Sequence, residues 1–169
     1  MAMPTGDIDS VIARFLAAPA IAGSAVSVQT EVLAAPHKPR SLSKGWQGVY
    51  SFRFEGVWLK VGKAGPNSNA RWLSQHYRPL SAQSTLAWSL LRYAHEAREA
   101  HPRLPSGFRE RIAAVDPDGI GAWIKQNTER VNLKISAELG RTGLAILEEI
   151  ALETLHPVFE GQWLREIAG

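Results

Sequence analysis

The clearest pattern in the chain is two runs rich in β-branched and aromatic residues, Gly48 to Phe54 and Val57 to Gly62, separated only by Glu55-Gly56. Two such runs around a two-residue turn predict a β-hairpin. Lys63 to Asn69 is a polar loop of Gly, Pro and Asn, and a helix is expected from Ala70 to Tyr77, before Pro79. Ser84 to His101 carries Leu86, Leu90, Leu91 and Ala94 at helical spacing, and Gly119 to Asn127 reads as a further helix after a mixed stretch. Arg130 to Ala137 alternates, with Val131, Leu133 and Ile135 on one side and polar residues between them, which predicts a half-buried strand. Leu144 to Leu155 repeats its apolar positions at Leu144, Leu147, Ala151, Leu152 and Leu155, a helix that His156-Pro157 would end.

Residues 1–45 read as a lead-in to this pattern. Asp9-Ser10 suits the cap of a short helix from Val11 to Ala17, which Pro19 would stop. Ser24 to Val32 alternates loosely, as a short strand does, and 35–41 has loop chemistry. The order of elements predicts an α+β domain over 46–169. Its core would be a small antiparallel three-stranded sheet flanked by helices, with a helical insertion at about 79–128 between the second and third strands. A length of 169 residues fits one domain.

Composition narrows the chemistry. Hydrophobic residues at 45% and charged residues at 21% are those of a folded chain. The absence of cysteine excludes disulfides, thiolate metal sites and a Cys nucleophile. The most apolar early stretch, Val11 to Val32, is interrupted by Arg14, Pro19, Gln29 and Glu31, so neither a membrane span nor a signal peptide is expected, and a cytoplasmic location is. The net charge is +3, carried by 13 Arg against 6 Lys. Arg offers a planar fork that matches phosphate, so the balance leans toward polyanion contacts.

Three separated pieces call for a joint explanation. The first is the hairpin, with Gly48-Val49-Tyr50 and, ten residues on, Lys60-Val61-Gly62. The second is Arg71 to Tyr77 on the next helix, and the third is Leu147-Glu148-Glu149-Ile150-Ala151-Leu152, followed by Pro157. This arrangement resembles the GIY-YIG nuclease family, from about Gly48 to Gly161. Gly48-Val49-Tyr50 stands at the first tripeptide and Lys60-Val61-Gly62 at the second. Arg71 takes the place of the family's helix Arg, and Glu148 that of its Glu. Lys60 replaces the second motif's Tyr, a change found in the restriction-endonuclease branch. The position four residues after the Arg, often His or Tyr in the family, is Gln75, with His76 and Tyr77 next. The family's Asn after the Pro is Glu160.

The resemblance implies a divalent-metal-dependent endonuclease acting on double-stranded DNA. Its residues suit that chemistry. Glu148 is a hard oxygen ligand for Mg²⁺ or Mn²⁺, and Arg71 can fork onto the scissile phosphate. Tyr50 is the expected general base, although a phenol titrates near about 10 and needs help. Lys60 beside its hydroxyl would favour the phenolate, or bind phosphate. His76 would position a group or serve the leaving oxygen. Lys63, Asn67, Asn69, Gln75, Tyr77, Arg78, Ser84 and Arg130 are candidates for contacts to DNA, Arg130 as part of a patch with Asn127 and Asn132.

Each residue also has a plainer reading. Tyr50 alone would be a core aromatic, Lys60 a solvated strand residue, and His76 a structural histidine. Glu149 and Glu153 compete with Glu148 on the same helix. A restriction-type enzyme is the favoured subtype, and a homodimer follows if both strands of a symmetric site are cut. A low-specificity defence, repair or toxin nuclease stands as the alternative, as does a catalytically silent nucleic-acid-binding module.

Overall fold

In the computed structural model, which describes residues 6–81 and 85–160, the turn between the two apolar runs is the tight one its sequence demands. Glu55 and Gly56 both take left-handed backbone (φ 46° and 80°), the requirement of the hairpin turn that matches strand twist. In chain order the elements are α1 (Gly6–Ala17), β1 (Gln29–Leu33), β2 (Trp46–Phe54), β3 (Val57–Ala64) and α2 (Asn69–Leu73). Then follow α3 (Leu86–Glu96), α4 (Phe108–Ala113), α5 (Ile120–Asn127), β4 (Glu129–Ser136) and α6 (Gly140–Leu155).

The protein is α+β, built on one antiparallel sheet in the order β1-β4-β2-β3. The sheet has four strands where three were expected. The addition is β1, which lines up against β4 from Gln29 opposite Lys134 to Leu33 opposite Arg130. It satisfies backbone groups that would otherwise leave β4 with an open edge.

Strand alternation sends side chains to two covered faces. Tyr50, Phe52, Phe54 and Leu59 pack beneath α2 to α5, with Trp72, Leu86, Leu90, Phe108 and Ile124. Val49, Val61, Val131, Leu133 and Ile135 pack beneath α1 and α6, against Ile8, Val11, Phe15, Leu144 and Leu147. Strand β4 is therefore not half-buried. Its polar side, Arg130 and Asn132, is also inside, because Trp72 of α2 and Tyr77 pack over Arg130, and Asn132 is held between Arg130 and Glu31. Residues 6–17 belong to the same core, and Val11 is fully buried. Val11→Ala is expected to lower unfolding free energy by about 2 kcal/mol in urea titration, the cost of a small buried cavity.

Two local irregularities shape the region beside β3. The register shifts between Phe52 and Arg53, which face Lys60 and Trp58, so Leu59 has no opposite number. This bulge turns Lys60 to the side of Phe52. The helix expected over Ala70 to Tyr77 breaks at Ser74, and Gln75–Tyr77 form a single 3-10 turn that points both His76 and Tyr77 inward. Among the described residues no helix is long and apolar enough to cross a membrane.

Candidate active site

The site is assembled around two glycines. Gly62 on β3 lies opposite Tyr50 on β2, and the Tyr50 ring crosses directly over it. A Cβ on Gly62 would come within 2.6 Å of the ring carbons Cε2 and Cζ. Gly48, the other tripeptide glycine, clears space for the Leu133 carbonyl and the Trp72 ring, which a Cβ there would meet at 2.6 and 3.0 Å. Both therefore serve close packing, and Gly62 lets the Tyr50 ring and hydroxyl lie directly over the edge strand.

There the Tyr50 oxygen meets His76 Nε2 and the Arg71 guanidinium. The histidine tautomer follows from its other nitrogen. His76 Nδ1 accepts the Leu86 backbone N–H at 3.2 Å. Burial holds its pKa well below the ordinary value, with Arg71, Lys60 and Arg130 adding to the effect. The ring is then neutral, its proton sits on Nε2, and it donates to Tyr50. Two donors on one phenol oxygen leave the O–H to point elsewhere, and they are the groups that would stabilise a phenolate. At rest the phenol is protonated. Burial pushes its pKa up to about 12, Arg71 and Arg130 pull it down, and Glu148 raises it.

Lys60 departs from expectation. The cations acting on Tyr50 are Arg71 and Arg130. The Lys60 ammonium is directed instead to Glu160 (2.8 Å) and the Phe159 carbonyl (3.1 Å). The cause is the chain after α6, which runs along β3. Val158 N–H donates to the Trp58 carbonyl (3.0 Å) and Phe159 N–H to that of Leu59 (2.9 Å), delivering Glu160 to Lys60. Burial raises the Glu160 pKa against the pull of Lys60.

Helix α6 buries Leu144, Leu147, Ala151 and Leu155 and leaves Glu148 half-buried toward the hairpin. Glu148 bears electrostatically on both Tyr50 and Glu160, and it pairs with Lys63 at 2.6 Å. Of its rivals, Glu149 is exposed, and Glu153 binds Arg14 of α1 at 2.7 Å. Arg71 Nε donates to the Lys63 carbonyl at 3.0 Å. Tyr50, Lys60, Arg71, His76 and Glu148 thus gather at the outer edge of β3, with Lys63 and Glu160 among them.

The candidates for DNA contact divide. Asn67 and Arg78 are exposed, and Gln75 is half-buried. Asn69 accepts the Leu42 N–H at 2.9 Å, a structural tie. Ser84 lies outside the described residues. Tyr77 and Arg130 are corrections, since neither reaches the surface. Tyr77 turns inward, its hydroxyl against His37 Nε2 (2.9 Å) and Arg130 Nη1 (3.1 Å). Arg130 is 1% exposed, with Tyr50, Phe52 and Trp72 rings 5.0–5.6 Å from its guanidinium carbon. Its Nε donates to Asn132, which in turn donates to Glu31, both near 2.9 Å, and its Nη2 has no partner among the described residues. Asn132 is buried with it. The alternation of β4 places Arg130 opposite Phe52 and Asn132 opposite Tyr50, and Trp72 and Tyr77 packed over Arg130 make that position interior.

Among the described residues no three His, Asp or Glu side chains form a metal cage. Glu148, which bears electrostatically on Glu160, offers with it one or two carboxylates. That donor set fits Mg²⁺ or Mn²⁺, which keep several waters and take further oxygens from phosphate.

His37 is also buried, its Nδ1 facing the Thr128 carbonyl at 2.7 Å, and burial lowers its pKa. Two histidines held below their unfolded pKa favour the unfolded chain as it takes up protons first. Stability is therefore present above about pH 6.5 and is lost as pH falls below it. Melting curves between pH 7 and 5 should show the decline, smaller in His37→Gln.

Comparison with protein-family models, with curated proteins and with solved structures returns no match.

Proposed function

We propose that the protein is a divalent-metal-dependent endonuclease hydrolysing phosphodiester bonds of double-stranded DNA, with an active site of GIY-YIG type. The observation that carries this reading is the Tyr50 oxygen, held across Gly62 by donors from Arg71 and His76 and facing Glu148. A buried phenol with two hydrogen-bond donors is equipped to act as a base once its own proton has passed to bulk solvent: the phenolate then takes a proton from the attacking water, and the hydroxide so formed bonds to phosphorus. The sheet and the neutral His76 fix its position. Arg71 lies where a guanidinium can bind a phosphate oxygen and offset charge as the attacking oxygen approaches. Lys60 and Glu160 hold the segment after Pro157 against β3 and so shape one wall. A Mg²⁺ or Mn²⁺ ion on Glu148 would supply a positive charge for the phosphate and the leaving oxygen.

The restriction-type subtype rests on Lys60 in the second tripeptide. The test is incubation of supercoiled plasmid with the purified protein and Mg²⁺ or Mn²⁺, against a chelator control. Metal-dependent nicking and linearisation are expected. Discrete fragments would mark a sequence-specific enzyme and a smear a general nuclease. Binding of DNA without cleavage in any divalent metal would overturn the enzymatic reading in favour of a silent binding module.

A further inference from the structure

The two carboxylates at the β3 edge are each held by a lysine, but not in the same way. Lys60 is enclosed: its side chain is 3% exposed and its ammonium has a second acceptor in the Phe159 carbonyl. Lys63 is open: its side chain is 43% exposed, and its ammonium bonds Glu148 Oε2 at 2.6 Å with no second acceptor among the described residues. Its backbone is fixed, since β3 runs to Ala64 and the Lys63 carbonyl accepts from Arg71. The backbone is thus anchored while the charged end is free to leave.

We propose that Lys63 is a placeholder for the metal, its ammonium occupying Glu148 in the DNA-free protein and withdrawing when a divalent cation takes the carboxylate. This rests on the nuclease reading and deepens it. An ammonium on Glu148 Oε2 and a divalent ion on the same carboxylate repel each other, so each weakens the other's hold. A half-exposed pair held by one ammonium contact is weak enough to break. The released ammonium then lies beside Arg71, at the place where that reading puts the phosphate. Anything that draws Lys63 away, a DNA phosphate included, raises the affinity of Glu148 for the metal, and the metal in turn favours the phosphate. Lys63 is a positioning residue in this scheme.

The test is direct Mn²⁺ binding to the full-length protein without DNA, read from the electron paramagnetic resonance signal of free Mn²⁺. Wild type is compared with Lys63→Gln, Lys63→Met and Glu148→Gln, with circular dichroism as a check on folding. Removing the competing ammonium is expected to tighten Mn²⁺ binding about 3- to 10-fold in both Lys63 variants, and Glu148→Gln to abolish it. Unchanged or weaker binding in the Lys63 variants, with Glu148→Gln still abolishing it, overturns the placeholder and leaves the nuclease reading in place. Binding indifferent to Glu148→Gln removes the metal from that residue and overturns both. No binding in wild type or the Lys63 variants overturns the placeholder as well.

Discussion

Tyr50→Phe is expected to reduce metal-dependent DNA cleavage about 1,000-fold at neutral pH while leaving the protein folded. Loss of a positioned general base costs about 10²- to 10⁴-fold. The phenylalanine ring would keep the edge contacts of Tyr50 with Trp72 and Phe52, whose centroids lie 5.8 and 6.1 Å away. The structural cost is the acceptor lost to His76 Nε2–H and Arg71, about 1–3 kcal/mol for buried donors left unsatisfied.

The pH profile separates chemistry from packing. With the phenol pKa near 12 in the resting protein, the phenolate is scarce at neutral pH and its population grows about tenfold per pH unit below that value. Wild-type cleavage should climb with pH accordingly, and the residual activity of Tyr50→Phe should not. Equal pH slopes in the two proteins, or near-normal activity in the variant, would remove Tyr50 from the chemistry. The same raised pKa has the opposite sign for stability. The neutral phenol's contribution is fully present below the unfolded value near about 10, and is lost as pH rises through about 12.

Gly62→Ala should damage both stability and activity, by about 3 kcal/mol in urea titration and with loss of measurable cleavage. The added methyl would enter the space of the Tyr50 ring, 2.6 Å from two of its carbons. The ring has no room to retreat, because the Arg130 guanidinium lies 5.1 Å behind its face and Trp72 and His76 pack at its edges. Overpacking of a filled core costs about 1–3 kcal/mol, and displacing the ring also breaks the bonds to His76 and Arg71. Combining Gly62→Ala with Tyr50→Phe should give no rescue, since the clash reaches ring carbons that both residues share. A double variant as stable as Tyr50→Phe alone would refute this account.

Much of this was readable from the chain because local patterns determine local geometry. Glu55-Gly56 dictates the turn, and the turn fixes the register that sets Tyr50 against Gly62. The apolar phase of Leu144, Leu147, Ala151 and Leu155 decides which glutamate looks toward the hairpin, and it selects Glu148 over the exposed Glu149 and Glu153. Other features depend on what distant segments cover. Nothing near Arg130 announces that Trp72 and Tyr77, more than 50 residues earlier, will enclose it, so a basic residue on an alternating strand passes for a surface group. The break at Ser74 turns His76 and Tyr77 inward to separate partners, which helical spacing from Arg71 does not foretell. The ion pair of Lys60 with Glu160 arises from a chain path, 158–160, that leaves no periodic mark.

That path bears on how two copies of the protein can meet. The chain after α6 hydrogen-bonds to the outer backbone of β3 at Trp58 and Leu59, and Glu160 accepts from Val61 N–H. This side of the sheet is therefore closed to strand addition over 58–61. The remaining edge strand is β1, five residues long and at the opposite edge of the sheet from β3. Two copies of the protein that joined by extending the sheet would therefore meet through β1 and not over 58–61 of β3.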